Sequence, residues 1–313
     1  MDIYEIINER IISMLEECEK TGKKLPWQKG WKTPVFKNNT IRVKADANDF
    51  AYNGLTGRAY SFLNQMLLLK GGAYFTFKQI CENGLVIKEE ERKKWSFVVS
   101  HFPKEKKVVN EETGEEETET EWHLYYRKEW HESQIENIDK VKIKSPYIEK
   151  YEAVETEQTW NNLDECEKLA NMYLEREGIK FNLEDGDRAF YRPATDSITL
   201  PKKGQFKDAG EYYATLYHEM THSTGHEKRL NRDLKNFFGD EGYSKEELVA
   251  EIGSSVLCNL LGIETGSTFK NTVAYIQSWI KALKNDKRMI VAASARAEKA
   301  VAYIMDGKVT EGE

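Results

Sequence analysis

The chain contains no apolar run approaching the roughly 20 residues that a membrane-spanning helix requires, which excludes an integral helical membrane protein. Its first residues, Met1-Asp2-Ile3-Tyr4-Glu5, are acidic and amphipathic and lack the basic, apolar character of a secretory signal. Cysteine is sparse: Cys18, Cys81, Cys166 and Cys258 lie far apart, and no Cys-x-x-Cys spacing occurs. That distribution provides neither a disulfide framework nor a zinc knot, and implies reduced thiols in a cytoplasmic protein. Internal repeats are also absent. The 313 residues, 40% of them hydrophobic and 32% charged, leave room for two globular domains of ordinary size. Histidine is scarce too, six in all, yet three of them (His218, His222 and His226) fall within nine residues.

That concentration contains the sequence His218-Glu219-Met220-Thr221-His222. Residues four apart on a helix stand about 5–6 Å apart at Cβ, so both imidazoles can reach one ion. Neutral imidazole suits zinc, and a catalytic zinc site takes three protein ligands and leaves one position open for water. In this spacing Glu219 would not bind the metal but would take a proton from the zinc-bound water. The local signals favour a helix here. Asp208 is a plausible N-cap with Glu211 three residues later, and Gly225 supplies a stop. The plainer alternative is an ordinary helix whose histidines lie on the surface or are satisfied in the core.

A third ligand must come from elsewhere. A histidine six residues after His222 would complete one common pattern, but that position is Lys228. His226 comes two residues early and reads as a group behind the ligands or on the substrate side. The segment from Ser244 to Leu257 reads as a helix carrying Glu247 and Glu251 on one face among apolar neighbours. Two carboxylates there are costly without a partner, and a facing dication would supply one. Glu247 as ligand with Glu251 bonded to an imidazole is the preferred arrangement, and the swapped assignment is the alternative. The plain reading of Glu247 is a capping box with Ser244.

Arg188–Arg192 and Ser197–Pro201, separated by a polar turn, read as a β-hairpin. An edge strand beside a metal-bearing helix can bind an extended peptide by strand addition, or can simply be packing. Asn271–Lys284 and Asp286–Met305 read as further amphipathic helices, with Trp279 and Tyr303 in the core.

The net charge of −7 is unevenly distributed. Between Lys20 and Lys44 stand Lys20, Lys23, Lys24, Lys29, Lys32, Lys37, Arg42 and Lys44, with no acidic residue and with Trp27, Trp31 and Phe36 interleaved. Cations that meet phosphates and rings on which unstacked bases lie are what single-stranded nucleic acid requires. The alternative is a solvated basic loop whose tryptophans pack inward. Around this run, Ile3–Lys20 has helical periodicity broken only by Arg10, and Ser61–Leu69 and Thr76–Cys81 read as short helices. Trp95–Val99 and Trp122–Tyr126 alternate as strands do. Glu111–Glu121, with seven glutamates in eleven residues, reads as a hairpin tip or a flexible loop.

Several of these segments together resemble the ArdC antirestriction family of plasmids and other mobile elements. In the C-terminal half they are Arg188–Pro193 with Thr195–Ile198, Tyr212–Thr215, His218–His226 with Arg229-Leu230, Glu246–Gly253, Ser278–Ile280 and Leu283–Arg288. In the N-terminal half they are Pro26–Trp31, Asn53-Gly54, Thr56–Tyr60 with Arg58, and Thr76–Gln79. The resemblance implies an α+β protein of two domains. Residues 1–145 would form an α/β single-stranded-DNA-binding domain, 146–158 a linker, and 159–313 a zincin-like metallopeptidase domain acting on an unknown protein substrate. A non-catalytic DNA protector with a structural or vestigial metal site is the competing expectation.

Overall fold

The N-terminal helical repeat folds as its periodicity predicts. In the computed structural model, which describes residues 2–21, 51–68, 70–109, 116–145, 161–234, 241–263, 277 and 279–306, Ile3–Thr21 is helix α1. It buries Ile7, Ile11, Met14 and Leu15 on one side, while Arg10 points to solvent. The basic run Lys23–Lys44 and the linker 146–158 lie outside the described residues.

A four-stranded mixed sheet follows, built from β1 (Ala51–Asn53), β2 (Gly72–Thr76), β3 (Ser96–Val109) and β4 (Glu116–His131), in the order β1-β2-β4-β3. β1 and β2 run parallel, joined across α2 (Phe62–Leu67); the other pairs are antiparallel. Helix α3 (Phe77–Glu82) begins where the sequence suggested: the Thr76 side chain and Gln79 form a reciprocal capping box. Gln79 and Asn53 also exchange two side-chain hydrogen bonds of 3.0 Å, which tie α3 to the end of β1.

The glutamate-rich stretch is not a loop throughout. The ladder between β3 and β4 continues to Val109 opposite Glu116, so Glu116–Glu121 is strand. The register sets Lys104 against Glu121, and opposite charges across that pair support a ladder that composition alone would call flexible.

The remaining chain forms α4 (Asn161–Glu177), strands β5 (Lys180–Glu184), β6 (Phe190–Arg192) and β7 (Ser197–Pro201), and helices α5 (Ala209–Ser223) and α6 (Glu241–Leu260). A helical stretch at 279–285, α7, and α8 (Met289–Asp306) follow. The three strands order as β5-β7-β6, which makes β6 an edge, and the predicted 188–201 hairpin is the antiparallel β6–β7 pair. Trp279 is buried, and Tyr303 is half-buried with its hydroxyl donating to Glu177.

The two halves share one apolar cluster, in which Ile7, Leu15, Phe62 and Met66 join Tyr217, Leu248, Val256, Ile290 and Val301. Polar contacts reinforce it. The Asn8 side chain donates to the Leu283 carbonyl at 2.7 Å, and Glu298 accepts the Phe62 N–H at 3.3 Å. A fragment confined to the first half would therefore expose the apolar face of α1 to water.

Glu129 on β4 is fully buried, accepts a 2.5 Å hydrogen bond from the Tyr60 hydroxyl, and is pushed up to about 7, chiefly by burial. A carboxyl group whose folded value exceeds its unfolded one (4.5) favours the fold most below pH 4.5, and loses that contribution as the pH rises through about 7. Glu129→Gln is expected to remove a fall in unfolding free energy on the order of 3 kcal/mol across that window. Denaturant titrations at several pH values measure it, and an unchanged slope refutes the assignment.

Candidate metal centre

Helix α5 starts at Asp208, whose carboxylate accepts the Glu211 N–H at 2.8 Å. Glu211 does not close a reciprocal box; its carboxylate accepts the Lys207 N–H, one residue further back. The helix ends at Ser223, and Gly225 lies in the turn that follows. A Cβ on Gly225 would stand 2.8 Å from Leu234 and 3.2 Å from the Arg232 guanidinium, so only glycine lets that turn fold back over the helix end.

His218 and His222 occupy successive turns of α5, and their Nε2 atoms approach to 3.1 Å. Glu247 on α6 faces both, with Oε2 3.4 Å from His218 Nε2 and Oε1 3.3 Å from His222 Nε2. Among the described residues this is the one cluster of donors disposed to hold a metal ion. Donors around a tetrahedral zinc at 2.0–2.2 Å are separated by about 3.3–3.6 Å, so these edges fit one small dication. Two imidazole nitrogens directed at one point and a carboxylate are a donor set of the right chemistry, with three protein groups rather than four.

Burial alone would keep both histidines neutral. The carboxylates outweigh it: Glu247 holds His218 above its ordinary value, and Glu246 and Glu247 raise His222 to about 10. Burial likewise pushes Glu247 up, but the two imidazoles hold its carboxyl well below the usual range. Glu251, half-buried and facing His218 Nδ1 at 3.9 Å, is raised above its ordinary value by desolvation. That distance is an ion-pair contact and too long for a hydrogen bond.

Glu246, which the pattern did not single out, stands closer behind the ligands. Its Oε1 is 3.4 Å from His222 Nδ1, and Arg232 grips it with bonds of 2.7 and 3.0 Å. Arg232 also donates to the Thr221 carbonyl and the Thr224 hydroxyl, so one buried guanidinium fixes the end of α5 to α6. The only sequence signal was the Glu246-Glu247 doublet itself. Ser244 lies inside α6 rather than at its start, so Glu247 is not part of a cap.

His226 stands apart from the donor triangle. Its Nδ1 accepts the Lys228 N–H at 3.2 Å. Asp196, at φ 45°, accepts from Arg229 and from the Tyr191 hydroxyl. Arg229 is buried and also donates to the Ser223 carbonyl at 2.7 Å. This bridge joins the end of α5 to the β6–β7 hairpin and so fixes the edge strand relative to the histidines.

Glu219 is buried on α5 between the two histidines in sequence, and raises both by its charge. It has no hydrogen-bond partner among the described residues, unlike Glu246.

Helix α6 can approach this closely because of Gly253. A Cβ there would lie 2.7–2.8 Å from the Thr221 side chain, which is fully buried and adjacent to His222. Gly253→Ala is expected to destabilise the fold by about 1–3 kcal/mol and to weaken metal binding by shifting Glu247 away from the imidazoles. Calorimetry with and without metal tests this, and unchanged metal affinity counts against the shift.

Of the residues expected to meet DNA, Trp27, Lys29, Trp31, Lys32, Lys37 and Arg42 lie outside the described residues, and Arg58 is exposed.

Comparison with known proteins adds two family matches. Residues 168–296 match a zincin-like metallopeptidase family, and residues 1–131 match the N-terminal domain of the anti-restriction factor ArdC. A metal-free crystal structure of the antirestriction protein ArdC from plasmid R388 is similar at TM-score 0.64 and 29% identity, covering 97% of both chains. Its Mn(II)-bound structure is similar at TM-score 0.62 and 27% identity, covering 100% of both. Two proteins of Escherichia coli described as DNA primase TraC are each 34% identical over 96% of this chain. The chain spans only 20% and 27% of their lengths.

Proposed function

The chain belongs to the ArdC-like antirestriction proteins, joining an ArdC N-terminal domain to a zincin-like metallopeptidase domain, and we propose that it is a single-stranded-DNA-binding metallopeptidase. On this reading it helps incoming DNA of a mobile element to evade restriction. The observation that carries the catalytic half is Glu219: a buried carboxylate beside a three-donor triangle, with no protein hydrogen bond of its own among the described residues. A purely structural zinc site closes its coordination with four protein ligands and needs no adjacent base. That argument favours an enzyme over a non-catalytic DNA protector with a vestigial site.

His218, His222 and Glu247 would hold the metal, with Glu246 and Glu251 orienting the imidazoles. Zinc is the ion proposed, from the His, His and carboxylate donor set; manganese is the competitor, as the Mn(II)-bound relative holds it. When bound, such an ion polarises the scissile carbonyl and makes water acidic. Glu219 takes the proton from the attacking water and returns it to the departing amine. The β6 edge, held by Arg229 and Asp196, offers backbone groups to an extended substrate segment. The ArdC family match, and the DNA primase relatives, support single-stranded DNA as the other partner.

The test is a comparison of new protein N-termini generated in a host-cell extract by metal-loaded and chelator-treated protein. Products that appear only with metal support the peptidase. Identical profiles transfer the reading to the DNA protector.

A further inference from the structure

The β3–β4 hairpin carries its aromatic side chains unequally. Five aromatic residues among the described ones are exposed: Phe77, Trp95, Phe102, Trp122 and Tyr126. In the antiparallel register, Phe97, Val99, His101 and Pro103 share a face with Lys128, Tyr126, Leu124 and Trp122. Trp95 joins that face, since the Lys128 ammonium lies 4.3 Å over its ring. Phe77 joins it at the same end as Trp95, packed 5.8 Å from Trp130, which is also on that face of β4. Four of the five exposed rings therefore lie along one face, with Phe97, Val99 and Leu124 between them packed against the shared core, and only Phe102 lies on the opposite side.

Two further features distinguish this track from a surface awaiting a protein. Between Trp95 and Trp122 its face carries no carboxylate, whereas the opposite face bears Glu121 paired with Lys104, and Arg127 beside the buried Glu129. Lys128 supplies a cation along it, and Lys78 is exposed beside Phe77, where it is ion-paired with the likewise exposed Glu82 at 3.7 Å. The track also ends on an unsatisfied donor: the Trp130 indole N–H is buried under Phe77 without a hydrogen-bond partner among the described residues. A buried donor left unpaired is costly.

We infer that this aromatic track, Phe77–Trp95–Tyr126–Trp122, is a binding surface for single-stranded DNA, with bases stacked on the rings and phosphates drawn to Lys128 and Lys78. The inference rests on the DNA reading above and assigns it to residues other than the basic run Lys20–Lys44. Ring faces bind any base, so the surface is indifferent to sequence. Paired bases in a duplex hide their faces and are excluded.

The experiment uses the full chain, because α1 and α2 share the core of the second half. Oligo(dT) binding is followed by quenching of tryptophan fluorescence and by anisotropy of a labelled oligonucleotide. Trp122→Ala and Tyr126→Ala are each expected to weaken binding by roughly 5- to 150-fold, the range for losing one stacked base. Trp122→Phe should recover most of the loss. Phe102→Ala on the opposite face should bind as wild type. Both truncated side chains are exposed, so thermal unfolding should match wild type. Wild-type binding by the Trp122→Ala/Tyr126→Ala double variant overturns the surface while leaving the DNA reading intact. Absence of oligo(dT) binding by the wild-type chain removes that reading itself. A change of oligomeric state in the double variant without DNA assigns the track to a second copy of the chain and also overturns the proposal.

Discussion

Glu219→Gln is expected to keep the metal and the fold while lowering peptide hydrolysis by roughly 100- to 10,000-fold, the usual contribution of a positioned general base. Glutamine has nearly the same shape and preserves the packing of a side chain that is 7% exposed. Its amide cannot accept a proton from water. Because Glu219 makes no hydrogen bond among the described residues, the substitution breaks no structural contact there, so the loss reports chemistry rather than unfolding. DNA binding should be untouched, because the change leaves the shared core intact and the first sheet unaltered. Activity of the variant against any substrate found for the wild type, within a few-fold of it, would return the metal site to a structural role.

His218→Ala combined with His222→Ala is expected to abolish metal retention, leaving a lone Glu247 at the site. Wild-type protein should hold close to one divalent ion per chain by elemental analysis, and full metal in the double variant ends the zincin reading. Glu247→Ala should weaken binding more than Glu251→Ala, since Glu247 lies 3.3–3.4 Å from both Nε2 atoms whereas Glu251 reaches only the far side of His218, at 3.9 Å. The reverse order moves the third ligand to Glu251. Glu246→Gln, which breaks the Arg232 grip without removing a ligand, should cost roughly 10- to 100-fold in affinity, as groups that orient a ligating imidazole do. Metal uptake must also displace the proton from His222, which the carboxylates raise to about 10. Affinity is therefore expected to rise with pH through the neutral range, with proton release measurable in a weakly buffered solution. A pH-independent affinity contradicts the geometry.

Much of the site was legible before any coordinates because its chemistry is local. Two histidines four apart, with a capped start at Asp208 and a turn at Gly225, specify one helix face through the 3.6-residue period alone. The 188–201 hairpin and the helix start at Thr76 were readable for the same reason: their hydrogen bonds join residues within a few positions of one another. The glutamate-rich hairpin was only half legible. Composition suggests solvation, and it does not show that Lys104 stands across the ladder from Glu121.

What the sequence by itself determined is which residues can meet on one turn of helix or across one tight turn: His218 with His222, Glu247 with Glu251, Thr76 with Gln79. Only the tertiary structure decided that Glu247 rather than Glu251 faces both imidazoles and that Arg232 and Glu246 stand behind them. It alone set α1 in the same core as α8, and brought Phe77, Trp95, Tyr126 and Trp122 onto one side of a sheet. The reason is the range of the interactions. Periodicity encodes neighbours three or four residues apart, whereas the approach of α6 to α5 depends on a missing Cβ at Gly253 meeting Thr221, thirty-two residues away, where close packing permits one arrangement.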